Sequence, residues 1–103
     1  MVKTILITGA TDGIGKHLAK KFASEGHHVI LHGRNSQKLE LATQEVRAVS
    51  LRGRVSSYLA DFSKLDDVYR FVEEIKRNFQ SIDVLFNNAG LYAGKERKAS
   101  AEN

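Results

Sequence analysis

The chain has 103 residues with no Cys, no Pro and no Trp, 42% hydrophobic and 27% charged, which admits one small globular domain and excludes a two-domain enzyme. Without Cys there is no disulfide framework and no thiolate metal site, so a reducing, cytoplasmic setting is the default expectation. The 16 Lys and Arg against 12 Asp and Glu give a net charge of +4, but these charges lack the interleaved aromatics on which bases stack, and no nucleic-acid partner is expected.

The opening MVKTILITG carries an apolar run too short to span a membrane and no small-residue cleavage site, so neither a targeting nor a membrane segment is expected. From there short strand-like runs alternate with longer helix-like ones in a β-α-β-α-β-α-β pattern, which predicts an α/β fold with a parallel sheet. The predicted strands are residues 4–8, 29–32, 55–60 and 82–86, the first and last almost continuously apolar and so expected to be buried on both faces.

Between them, Ile14, Leu18 and Phe22 predict one amphipathic helix, Leu39, Ala42, Val46 and Val49 a second, and Leu65, Val68, Val72, Ile75 and Phe79 a third. Gly26 is placed to stop the first helix, Asn35 and Ser63 to cap the second and third, and Ser63 with Asp66 fits a capping-box start. The doubly wound strand order 3-2-1-4 puts the fourth strand at an edge, and an apolar edge invites self-association. Residues 1–94 read as one domain unit, and residues 95–103, small and charged without period, as a flexible or truncated tail.

The strongest local signal is Thr8-Gly9-Ala10-Thr11-Asp12-Gly13-Ile14-Gly15, directly after an apolar strand and opening a helix. Glycines there let the backbone bend sharply and approach a ligand, while the helix start offers unpaired N–H groups and partial positive charge to a pyrophosphate. A P-loop would need Gly at Ala10 and Ser or Thr at His17, so a Walker-type nucleotidase is excluded.

The end of the second strand reads His32-Gly33-Arg34-Asn35. A carboxylate there would accept from the adenosine ribose hydroxyl; Arg34 instead suits a 2′-phosphate, with Lys38 one helical turn on adding a point charge. This favours NADP(H) over NAD(H). Asp61-Phe62 follows the third strand and Asn87-Asn88-Ala89-Gly90 the fourth, so all these groups fall at carboxyl ends of parallel strands, where open α/β sheets bind ligands. Asp61 serves equally as acceptor for an adenine amine and as a helix cap.

These motifs resemble the N-terminal half of the short-chain dehydrogenase/reductase family: Thr8 to Gly15 matches its TGxxxGxG, Asn88-Ala89-Gly90 its NAG, and Asp61 its adenine-binding acid. The resemblance implies a Rossmann-type fold, incomplete here, with Gly9, Gly13, Ile14 and Gly15 around the pyrophosphate, Arg34 at the 2′-phosphate, Asp61 and Phe62 at the adenine, and Ala89 and Gly90 of the NAG motif on the ribose side. Thr11, Asp12, Asn35, Lys38 and Asn88, adjoining these in the same motifs, complete the expected cofactor-binding set. Where many NADP-preferring members carry a basic residue before the second glycine, this chain has Asp12.

The family's catalytic Tyr and Lys stand four residues apart, and no such pair occurs here: Tyr58, Tyr69 and Tyr92 are followed four residues on by Phe62, Glu73 and Glu96. No catalytic residue is therefore assigned. The implied whole is an NADP(H)-dependent oxidoreductase acting on an alcohol or carbonyl substrate, this chain being its cofactor-binding half and inactive alone. A non-catalytic dinucleotide-binding sensor or interaction module is the alternative. His28 and His32 would lie about 13 Å apart on a strand at ~3.3 Å per residue, so they are read as strand polar residues and not as a metal pair. Asp66, Asp67, Glu73 and Glu74 are read as a solvated helix face.

Overall fold

Ile5, Leu6 and Ile7 point alternately to opposite faces of the first strand and all three are buried, so this strand needs cover on both sides. A computed structural model, describing residues 1–88, supplies it. The elements are β1 (Thr4–Thr8), α1 (Gly13–Ser24), β2 (His28–Gly33), α2 (Ser36–Val49), β3 (Val55–Leu59), α3 (Leu65–Asn78) and β4 (Val84–Asn87). The strands form one parallel sheet in the order β3-β2-β1-β4, as the alternation of elements predicts. The sequence strands 29–32, 55–60 and 82–86 are matched with ends moved by one or two residues.

On one face, Ile5, Ile7, Val29 and Leu31 pack beneath α1 and α2 with Ala19, Ala23, Leu39 and Val46; on the other, Leu6, Ile30 and Ala60 meet Phe71 and Ile75 of α3. Each fully buried aliphatic side chain of this kind stabilises the fold by roughly 1.5–3 kcal/mol relative to exposure.

Two helix faces differ from the sequence reading. The buried row of α1 is Gly15, Ala19 and Ala23, while Leu18 and Phe22 pack beside it and Ile14 is 67% exposed. Small residues let α1 lie close to the sheet, and larger neighbours then fill its flank. In α3 the buried residues are Phe71 and Ile75, with Leu65 and Val72 exposed. Val68, Phe71, Val72 and Ile75 instead wall a largely apolar groove of about 410 Å³ with Leu6 of β1 and Leu85 of β4. Accordingly β4 is not buried on both faces: Leu85 is 58% exposed, because α3 covers β1 and β2 and leaves β4 open on that side among the described residues. Val49 in α2 is also exposed, and Thr43 takes an inner position, its hydroxyl donating to the Leu39 carbonyl.

The caps follow in part. Gly26, at φ 93°, ends α1, and the Asn35 side chain accepts from the Lys38 N–H at the start of α2. At α3 the cap position belongs to Lys64, without a side-chain bond, so Ser63 and Asp66 do not form a capping box. The Ser63 hydroxyl is instead turned back to Asp61. The expected tail and the domain limit at residue 94 lie outside the described residues.

Candidate functional site

Parallel register sets which residues share one end of the sheet. Thr8 pairs with Asn87, and Gly33 with Leu59, so the segments leaving β1, β2, β3 and β4 emerge side by side. The glycine turn, Arg34, Asp61 and Asn88 all leave at that end.

The turn is held from three directions. The Ala10 N–H donates to the His32 carbonyl (2.9 Å), the Gly9 N–H to His32 Nδ1 (3.0 Å), and Asn88 Nδ2 to the Gly9 carbonyl (2.8 Å). Gly9 has φ 61° and Gly13 φ 60°, a region side chains disfavour. Gly15 answers a different need: a Cβ there would lie 2.5 Å from the Gly9 carbonyl oxygen and 2.9 Å from Asn88 Nδ2. Helix and turn thus approach more closely than any side chain permits. The Thr11 methyl lies over Gly33 in the same way, 2.5 Å from where a Cβ would stand.

The start of α1 is left without a side-chain cap. Asp12 is the N-cap residue but makes no side-chain bond to the first turn, so among the described residues the opening N–H groups of α1 lack a side-chain cap. No acidic residue lies within that turn, and the only carboxylate at this helix end among the described residues of the turn is that of Asp12 itself. The Asp12 carboxylate points instead toward Lys38 Nζ, 3.7 Å away. Ile14 stands exposed at the mouth of the turn, and a Cβ built on Gly13 would meet nothing within 4 Å.

Arg34 is exposed immediately beyond β2, beside Asn35, whose side chain is committed to capping α2. The charge of Arg34 reaches Asp61, whose carboxyl is held below its ordinary range chiefly by hydrogen bonds from the Ser63 hydroxyl and N–H, with smaller help from Lys64 and Arg34. Both Ser63 bonds fall on Oδ1, at 2.7 and 3.0 Å. Asp61 is thus an ionised acceptor at the end of β3 that also fixes its own loop. The Asp61 N–H donates to Asp67 Oδ2 (2.8 Å), so Asp67, read from sequence as a solvated charge, holds the start of this loop.

Phe62 lies flat on His32, ring centroids 3.9 Å apart and planes 6° apart. Sequence reading had no role for His32. It is buried, and burial pushes its pKa below the ordinary histidine value, partly offset by a bond between Nε2 and the Ala60 carbonyl. His28 lies at the far end of β2 against Ser56 Oγ, and no group of metal-ligating side chains occurs among the described residues. Asn88, expected beside the ribose, donates to Gly9 within the protein. Ala89 and Gly90 lie outside the described residues.

A parallel sheet in the order 3-2-1-4, with a glycine turn and an uncapped helix start at its carboxyl end, is matched by the family model described as short chain dehydrogenase over residues 3–103. The chain belongs to this family.

Among its relatives in the short-chain dehydrogenase family, the chain is 37% identical over 90 residues to 11-beta-hydroxysteroid dehydrogenase-like 3 of Arabidopsis thaliana, covering 87% of this chain and 29% of that protein. It is 35% identical over 89 residues to retinol dehydrogenase 13 of Mus musculus, covering 86% and 27%. Among solved structures, L-sorbose reductase from Gluconobacter frateurii, complexed with NADPH and L-sorbose, superposes with a TM-score of 0.76 at 34% identity, covering 86% of this chain and 34% of that one. The chain therefore spans about a third or less of the length of these relatives. No helix among the described residues is long and apolar enough to cross a membrane.

Proposed function

We propose that the chain is the cofactor-binding part of an NADP(H)-dependent oxidoreductase acting on an alcohol or carbonyl compound. The observation that carries this reading is the uncapped start of α1, open over the glycine turn, with an arginine and no carboxylate at the end of β2. The residues fit such a group, because Gly13 leaves open space where a side chain would stand and no acid lies within the first turn of α1, the Asp12 carboxylate at its cap facing Lys38.

When bound, the nicotinamide supplies or accepts a hydride; this chain's residues bind and orient the other end of the molecule. In this reading the N–H groups of Gly13, Ile14 and Gly15 hold the pyrophosphate, and Gly9 shapes the turn beneath it. Arg34 forks onto the 2′-phosphate with Lys38 alongside, Asn35 fixing the helix start that carries Lys38. Thr11 and Asp12 form the rim, Asp61 and Phe62 the adenine edge, and Asn88, Ala89 and Gly90 the floor toward the ribose. That L-sorbose reductase was solved with NADPH supports the choice of cofactor class.

Turnover by these 103 residues alone is not expected, because no Tyr-x-x-x-Lys pair is present to protonate a carbonyl oxygen. The second reading, a nucleotide-binding module without chemistry of its own, uses the same residues. Self-association along the edge of β4 belongs to either reading, since β4 is an outermost strand of the sheet among the described residues and Leu85 on it is exposed; sedimentation across a concentration series tests it, a monomer throughout counting against it.

Calorimetric titration with NADPH, NADH and 2′,5′-ADP tests the cofactor reading. NADPH and 2′,5′-ADP are expected to bind more tightly than NADH, and equal affinity for the two nicotinamide cofactors would refute the NADP(H) preference. NADPH oxidation in the presence of a carbonyl substrate by the purified chain would refute its inactivity.

A further inference from the structure

The His32 side chain touches both halves of the candidate site. Its ring meets the glycine turn on one side and Phe62 on the other.

The hydrogen bonds leave no freedom in its protonation. The Ala60 carbonyl can only accept, so Nε2, 2.9 Å away, carries the proton; the Gly9 N–H can only donate, so Nδ1, 3.0 Å away, carries none. The ring is thereby a neutral bridge with its donor toward the end of β3 and its acceptor toward the end of β1. Its plane is fixed by two aromatic neighbours, Phe62 stacked face to face and Phe71 edge-on at 5.3 Å and 65°. The residue is 3% exposed, so water does not replace either bond.

We propose that His32 is a positioning residue of the dinucleotide site, fixing the Gly9 amide so that the glycine turn keeps the shape the pyrophosphate needs. The proposal rests on the cofactor reading given above. The main chain of His32 already binds the Ala10 N–H, as any residue at this position can. The Gly9 N–H is different: its partner is a side-chain nitrogen, and an aliphatic residue in place of His32 would leave that half-buried amide without this acceptor. With the Gly9 N–H committed to His32, the donors left for an anion are those of the first turn of α1, which separates the groups that shape the turn from those that bind.

The test separates this role from bulk stability by splitting the two ring nitrogens. Asn at position 32 reaches roughly where Nδ1 stands and preserves an acceptor for Gly9; Gln reaches roughly where Nε2 stands and preserves only the bond to Ala60. His32→Asn is expected to bind NADPH within about threefold of the wild-type chain, and His32→Gln about tenfold more weakly, as the loss of one half-buried hydrogen bond that shapes the turn implies. In the wild-type chain, long-range ¹H–¹⁵N correlation spectra at pH 7.5 are expected to show His32 as the Nε2–H tautomer, assigned by its disappearance in the Asn variant.

A protonated Nδ1, or NADPH affinities that are equal in the wild type and both variants, overturns the positioning role while the cofactor reading stands. A wild-type chain with the expected tautomer but no NADPH binding overturns the cofactor reading, and the positioning role falls with it. Should either variant fail to fold, the wild-type tautomer still decides whether the bridge exists.

Discussion

Gly15 lies so close to Gly9 that a single methyl group on it would stand 2.5 Å from the Gly9 carbonyl oxygen. The neighbour is backbone and cannot rotate away, and Asn88 Nδ2, the other near atom, is itself bound to that same oxygen.

Gly15→Ala is therefore expected to destabilise the fold by about 1–3 kcal/mol, the usual consequence of overpacking a closed contact. It should also weaken NADPH, since helix and turn must separate. Urea denaturation followed by circular dichroism measures the first effect and calorimetry the second; a variant as stable as the wild type would show that the contact is looser than the geometry states.

Asn88→Leu removes the donor to Gly9 at nearly constant volume. Loss of this hydrogen bond is expected to cost about 1 kcal/mol, read again by urea denaturation. The amide resonance of Ala10, conjugated to the Gly9 carbonyl, should shift in ¹H–¹⁵N spectra, because that carbonyl loses a partner. An unchanged Ala10 resonance would mean that Asn88 does not hold the turn.

Arg34→Asp is expected to weaken NADPH by at least tenfold more than NADH, since it removes a phosphate partner and adds repulsion. Lys38→Ala should act in the same direction with a smaller effect, a point charge being a poorer match to phosphate than a planar fork. Titration of each variant with both cofactors measures this, and parallel losses for the two would remove Arg34 from the specificity argument.

Acid should loosen the fold. His32 and His28 both have pKa values lowered by burial, His28 with a further contribution from Arg54. A group whose folded pKa lies below its unfolded value contributes stability that is complete above the unfolded value, near 6.5, and is lost as pH falls through the folded one. Asp61, lowered by its Ser63 bonds, follows the same rule at more acid pH, below the ordinary aspartate range. Stability measured by urea midpoint is expected to decline below about pH 6.5, and less steeply in His32→Asn. A midpoint that rises on acidification would contradict the burial of both rings.

The frame of the molecule was legible because its signals are local. The run TILIT is β1 to the residue, and the Asn35 cap and Gly26 stop act within one helical turn. What escaped depends on who faces whom across the sheet. An apolar count along α1 selects Ile14, Leu18 and Phe22, whereas close approach to the sheet selects Gly15, Ala19 and Ala23. The stripe of α3 was read as wholly inward, yet Val72 and Leu65 stay exposed because burial is decided by the opposite surface, which periodicity does not contain. His32 became a functional candidate only when the ends of β1 and β3 and the ring of Phe62 converged on it. Asn88 stands out in the sequence by its position after β4, and the structure gives it the Gly9 carbonyl as partner.

The ion pair between Asp12 and Lys38 ties the rim of the glycine turn to the first turn of α2. If the proposed site takes a phosphate there, it would compete with Asp12 for the ammonium group, and loading the pocket would be an exchange of counter-ions and not the filling of a bare positive field. The ionic-strength dependence of binding should then be shallower than two free cations would give, and the rim should let go of α2 as the anion takes its place.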